Sequence, residues 1–114
     1  HTFAHALEQV SGYTWKHGEA VAVGLVAATR LSAALGLCGP ELPAQVEALL
    51  QRLGLPTRLG RYDPEGLWRA MAADKKWRDG RPRFVLLKGI GKPLIMEGIA
   101  AHAVLSVLAE LSDA

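Results

Sequence analysis

The stretch Glu19-Ala20-Val21-Ala22-Val23-Gly24-Leu25-Val26-Ala27-Ala28-Thr29-Arg30-Leu31-Ser32-Ala33-Ala34-Leu35 carries one charge after Glu19, at Arg30. A helix of these residues is apolar on most of its faces, which predicts a central helix covered by neighbours on several sides. Gly24 and the alanines let those neighbours come close, and Gly36 stands where a left-handed residue ends a helix. Upstream, His1 to Val10 places Phe3, Ala6, Leu7 and Val10 three and four apart, one face of a helix that Gly12 would stop. Downstream, Gly39-Pro40 breaks the chain before a third helix, Pro43 to Leu53, with Val46, Leu49, Leu50 and Leu53 on its inner face.

Asp63-Pro64-Glu65 reads as an N-cap, a first-turn proline and a first-turn acid, opening a fourth helix that runs to about Ala73. After the polar run Asp74 to Arg81, the segments Arg83 to Lys88 and Lys92 to Glu97 flank Gly89-Ile90-Gly91, the pattern of a β-hairpin. Pro93 confines the second strand to an edge. Ala100 to Leu111 closes the chain as a helix with Val104, Leu105, Leu108 and Leu111 facing in. The expected fold is mainly α, about five helices and one hairpin, in a single domain over residues 1–114.

Half of the 114 residues are hydrophobic and 21% are charged, which excludes a disordered chain and suits one core. Thirteen Lys and Arg against eleven Asp and Glu leave a net charge of +2, not the footprint of a nucleic-acid or polybasic membrane binder. The uncharged stretch Ala20 to Thr29 is about half of the roughly 20 residues that a spanning helix needs. Cys38 is the single cysteine, so no internal disulfide or four-cysteine zinc site is expected and a cytoplasmic setting fits best. The helical pattern is already running at His1 with no apolar leader before it, so a piece of a longer chain is expected, with part of any site outside it.

Three of the four histidines, His1, His5 and His17, lie in the first seventeen residues. His1 and His5 share a helix face, and a loop can fold His17, just before the buried helix, back over them. Neutral imidazoles suit zinc or a similar divalent cation, and a catalytic site commonly has three protein ligands and one open position. The same spacing also serves ordinary surface or cap histidines. His102 has no histidine near it in sequence and is read as a plain helix residue. Asp74-Lys75-Lys76 suits either a phosphate or a solvated turn at a helix's negative end. Arg78, Arg81 and Arg83 fit surface charge better than an anion-binding cleft.

His1-Thr2-Phe3-Ala4-His5-Ala6-Leu7-Glu8, Gly12-Tyr13, His17-Gly18-Glu19-Ala20-Val21-Ala22, Gly54-Leu55-Pro56, Asp74-Lys75-Lys76 and Arg83 through Gly91, in this order and spacing, closely resemble the C-terminal domain of the 3-dehydroquinate synthase family. The resemblance implies the helical half of a two-domain enzyme whose N-terminal, NAD-binding domain is absent from this chain. It implies a carbon–oxygen lyase of the shikimate pathway. Its substrate would be the sugar phosphate 3-deoxy-D-arabino-heptulosonate 7-phosphate, and its products 3-dehydroquinate and phosphate, with NAD used without net redox change. By the same resemblance His1 and His17 are the zinc (or cobalt) ligands, with a third ligand outside the chain. His5 is a catalytic, substrate-contacting proton relay; Lys75, with Lys76 beside it, binds substrate.

Glu8 and Glu19 lie near the histidines in sequence and suit their ring N–H groups. Glu19 is kept as the supporting carboxylate, and solvation of a helix face is the plainer reading of Glu8. A homodimer is expected by likeness. The alternatives are another NAD- and metal-dependent sugar-phosphate cyclase, a glycerol-dehydrogenase-like alcohol dehydrogenase, and a helical interaction module with incidental histidines. Phosphate release separates the first pair of readings from the dehydrogenase, and stoichiometric zinc separates any of these enzymes from the module.

Overall fold

The apolar stretch becomes helix α2, His17–Ala34, in a computed structural model that describes residues 1–73 and 83–113. Its neighbours in chain order are α1 (Thr2–Val10), α3 (Glu41–Arg52), α4 (Pro64–Ala72), the strands β1 (Arg83–Gly89) and β2 (Lys92–Glu97), and α5 (Ala101–Leu111). Val23, Val26, Ala27 and Leu31 of α2 are buried, and α1, α3, β1 and α5 all pack around this helix. Among the described residues the expected architecture of five helices and one hairpin is the observed one. No helix among the described residues is long and apolar enough to cross a membrane.

Gly24 sets how closely α1 approaches α2. A Cβ added there would lie 3.4 Å from the backbone nitrogen of Ala4 and 3.6 Å from the Cβ atoms of Ala4 and Phe3. One methyl fits; a branched side chain does not. Gly24→Ala is therefore expected to change stability by less than about 1 kcal/mol, since alanine also favours the helix. Gly24→Leu is expected to cost about 1–3 kcal/mol by overpacking. Urea unfolding of the two variants tests the difference, and similar costs for both would contradict this contact.

The third helix departs from its predicted face. Leu42, Pro43 and Leu50 are buried, whereas Leu49 and Leu53 are 50% and 64% exposed. The helix starts at Glu41, earlier than its proline suggests, and it packs against α2 on one narrow stripe, so a wide apolar face cannot be covered. In α5, Val104, Leu108 and Leu111 point inward as expected, but Val107 is buried and Leu105 is half-buried. Arg30 of α2 joins α3 and α5 through Glu47 and Glu110. The hydrogen bond to Glu47 is the main reason that its guanidinium pKa is raised above the ordinary value.

The hairpin is antiparallel, with Phe84 opposite Met96, Val85 opposite Ile95 and Leu87 opposite Pro93, and an irregularity between Leu87 and Gly89. With two strands, both are edges, so Pro93 costs no further ladder partner. Phe84 and Leu86 enter the core. The ring of Phe84 lies 5.2 Å from that of Phe3, Thr2 Oγ1 donates to the carbonyl of Arg83 (3.1 Å), and the N–H of Leu87 donates to Ser32 Oγ (3.0 Å). These contacts fasten the hairpin to the start of α1 and the last turn of α2. The N–H of Leu59 donates to the Leu111 carbonyl and ties the link between α3 and α4 to the C-terminal helix.

Candidate functional site

His1 is the N-cap of α1, and its carbonyl accepts the N–H of His5 (2.8 Å). Helical spacing puts His1, His5 and Glu8 along one side of α1. The chain then reverses over residues 11–16. Gly12 and Tyr13 both adopt left-handed backbone, with φ of 64° and 62°, and the N–H of Tyr13 donates to the Glu8 carbonyl (2.8 Å). A left-handed non-glycine residue is uncommon, and that backbone hydrogen bond is the contact that accompanies it here. Trp15 meets Tyr62 edge-on at 6.4 Å and anchors the loop to the segment before α4.

This reversal delivers His17 as the first residue of α2, rather than ahead of the helix as its sequence position suggests. The three imidazoles gather in one place. Ring centroids lie 5.3 Å apart for His1 and His5, 5.4 Å for His1 and His17, and 6.4 Å for His5 and His17. The rings of His1 and His17 are nearly parallel, at 12°. His1 and His17 are exposed, and His5 is half-buried.

Neutral imidazoles gathered in this way suit a divalent cation. Two imidazoles on one tetrahedral zinc, each at about 2.0–2.1 Å, hold their centroids on the order of 5 Å apart. The 5.4 Å between His1 and His17 is of that order, and so is the 5.3 Å between His1 and His5, so the separations alone do not choose between the two pairs. Among the described residues no group of three or more His, Cys, Asp and Glu is arranged to hold a metal ion.

The two glutamates exchange the parts expected of them. Glu19 accepts the backbone N–H of Lys16 (3.1 Å) and serves the start of α2, as a residue three places after an N-cap does. The carboxylate that meets an imidazole is that of Glu8, whose Oε1 lies 2.9 Å from His17 Nδ1. The signal was present in sequence: Glu8 continues the helical side begun by His1 and His5, and Glu19 occupies the capping position after Lys16. Lys75, Lys76, Arg78 and Arg81 lie outside the described residues. Arg83 faces Glu97 at 3.6 Å across the hairpin, and His102 is exposed on α5.

Beside the histidines, an open groove of about 730 Å³ runs between α1, α2 and the hairpin. Phe3, Leu25, Val85, Leu87 and Ile95 make its walls apolar, and His1, Thr2 and Arg83 give it a polar rim.

The family described as 3-dehydroquinate synthase C-terminal matches residues 1–77. The 3-dehydroquinate synthase of Dehalococcoides mccartyi is 50% identical over 111 residues, covering 97% of this chain and 31% of that protein. That of Paracoccus denitrificans is 44% identical over 117 residues, covering 96% and 32%. The chain thus spans about a third of the length of these relatives. Among solved structures, 2-deoxy-scyllo-inosose synthase complexed with carbaglucose-6-phosphate, NAD+ and Co2+ has a TM-score of 0.80 at 25% identity, covering 96% of this chain and 33% of that one. The 2-epi-5-epi-valiolone synthase of Streptomyces hygroscopicus subsp. jinggangensis, with NAD+ and Zn2+ bound, has a TM-score of 0.83 at 25% identity, covering 97% and 31%.

Proposed function

Because this chain belongs to the 3-dehydroquinate synthase C-terminal family, we propose that it supplies the cation- and substrate-facing helical part of a 3-dehydroquinate synthase. The reaction is conversion of 3-deoxy-D-arabino-heptulosonate 7-phosphate into 3-dehydroquinate and phosphate. One observation carries the reading: His1, His5 and His17 come together on α1 and α2, in a chain that shares 44% to 50% identity with enzymes of that name over nearly its whole length. The identity to the two other cyclases is 25%, which favours dehydroquinate synthase over them.

His1 and His17 hold the divalent cation, zinc or cobalt, together with a ligand from beyond this chain. When bound, the cation supplies Lewis acidity toward a substrate hydroxyl, and NAD supplies a hydride acceptor that returns its hydride. His5, whose ring centroid lies 5.3 Å from that of His1, is the imidazole beside the pair that relays a proton to or from substrate. Lys75 and Lys76 fit the substrate's anionic groups, since an ammonium pairs with carboxylate or phosphate without being consumed. By the same likeness the enzyme is a homodimer.

The test is phosphate release by the full-length protein supplied with zinc, NAD and the heptulosonate phosphate. Turnover with formation of dehydroquinate is expected; turnover only of a hexose phosphate would assign the chain to another cyclase. In the same assay His5→Ala is expected to keep stoichiometric zinc and to lower kcat by about 10²–10⁴-fold, the usual contribution of a general acid–base group. Loss of zinc in that variant would make His5 a ligand instead.

A further inference from the structure

We infer that Glu8 is a positioning residue that sets the His17 ring for cation binding, holding Nδ1–H so that Nε2 is the nitrogen offered to the ion; this rests on the reading of His1 and His17 as ligands. The two atoms that carry the inference are Glu8 Oε1 and His17 Nδ1, 2.9 Å apart. A carboxylate has no hydrogen to give, so the hydrogen of this bond belongs to Nδ1. The neutral ring then has its lone pair on Nε2.

The bond restrains the ring rather than the acid. The Glu8 side chain is 16% exposed and that of His17 is 58% exposed, so the carboxylate is backed by protein while the imidazole stands open. The backbone of Glu8 is pinned as well: its carbonyl accepts the N–H of Tyr13 at 2.8 Å and Ser11 Oγ at 3.1 Å. Glu19 is engaged with the N–H of Lys16 and leaves the imidazole to Glu8. Glu8 rides on the same helix as His1, so one rigid element carries one ligand and orients the other. Carboxylates in this relation to a ligating histidine fix its tautomer and its direction.

The experiment measures zinc affinity of the full-length protein by competition with a chromophoric chelator, for wild type, Glu8→Ala, Glu8→Gln, Glu8→Asp and His17→Ala. Glu8→Ala is expected to bind zinc about 10–100-fold more weakly. Gln can accept the same hydrogen bond through its amide oxygen, so Glu8→Gln is expected to recover most of the affinity. Asp keeps the charge but is too short to reach Nδ1, so Glu8→Asp is expected to stay weak. The order Gln above Asp supports the orienting role even where the Ala variant does not fold.

The reverse order would show that charge acts on the ion rather than the hydrogen bond, and would overturn the inference, as would wild-type affinity in both Ala and Asp variants. Zinc retained in His17→Ala would overturn the ligand reading itself. Zinc lost there but kept at full affinity in the Glu8 variants would overturn the role of Glu8 alone.

Discussion

In the full-length protein, His17→Ala is expected to abolish stoichiometric zinc and to lower phosphate release by on the order of a thousandfold or more. A Lewis acid contributes several kcal/mol to charge stabilisation in a transition state, and each factor of ten in rate is about 1.4 kcal/mol. The expectation follows from the position of the ring. His17 lies 5.4 Å from His1, nearly parallel to it, at the exposed start of α2. Its removal leaves an incomplete ligand shell, since His5, whose ring lies 6.4 Å from that of His17, belongs to the substrate in this reading. Helix α2 itself should survive, because His17 is largely solvent-exposed and supplies no core packing. Circular dichroism and zinc analysis of one preparation check both halves of the statement, and an active, zinc-loaded variant would remove His17 from the site.

The largest expected loss of stability comes from Phe84→Ala, at about 3–5 kcal/mol. Phe84 is 2% exposed, and its ring meets that of Phe3 at 5.2 Å, so truncation empties a cavity between the hairpin and α1. Such a loss is a large share of the roughly 5–15 kcal/mol that holds a typical domain together. Val85 is its control. It is the next residue on the same strand, 60% exposed on the opposite face, and Val85→Ala is expected to change stability by less than about 0.5 kcal/mol. Equal effects of the two substitutions in urea unfolding would mean that the hairpin does not share the core of the helices. The same Phe3 to Phe84 contact sits two residues from His1, so Phe84→Ala is also expected to loosen the cation pair.

Much of this was legible before any coordinates. Apolar residues at helical spacing located five helices because each buries one side against a neighbour, and the glycines around Ile90 located the hairpin because the turn needs a left-handed residue, which Gly91 provides at φ 74°. The histidine cluster was legible as a concentration of ligand-type residues near one end. What periodicity could not give was the fraction of each face that a neighbour covers. Leu49 and Leu53 continue the apolar pattern of α3 but lie beyond the stripe that α2 reaches. The exchange between Glu8 and Glu19 has a similar origin. Proximity in sequence favours Glu19, two residues from His17, but helix geometry turns it back to the N–H of Lys16. Glu8, nine residues away, reaches His17 only because Gly12 and Tyr13 reverse the chain. The left-handed Tyr13 carried no sequence signal, since residues of its type rarely take that conformation.

The central claim is that His1 and His17 share a cation whose remaining ligand lies beyond this chain. Anomalous diffraction at the zinc edge, from crystals of the full-length protein, tests it directly. A single strong peak at bonding distance from one ring nitrogen of each of these histidines, with a carboxylate from outside residues 1–114 completing the shell, is the expected result. A peak bonded to His5 in place of either one, or no peak between the two rings in zinc-loaded crystals, would contradict it.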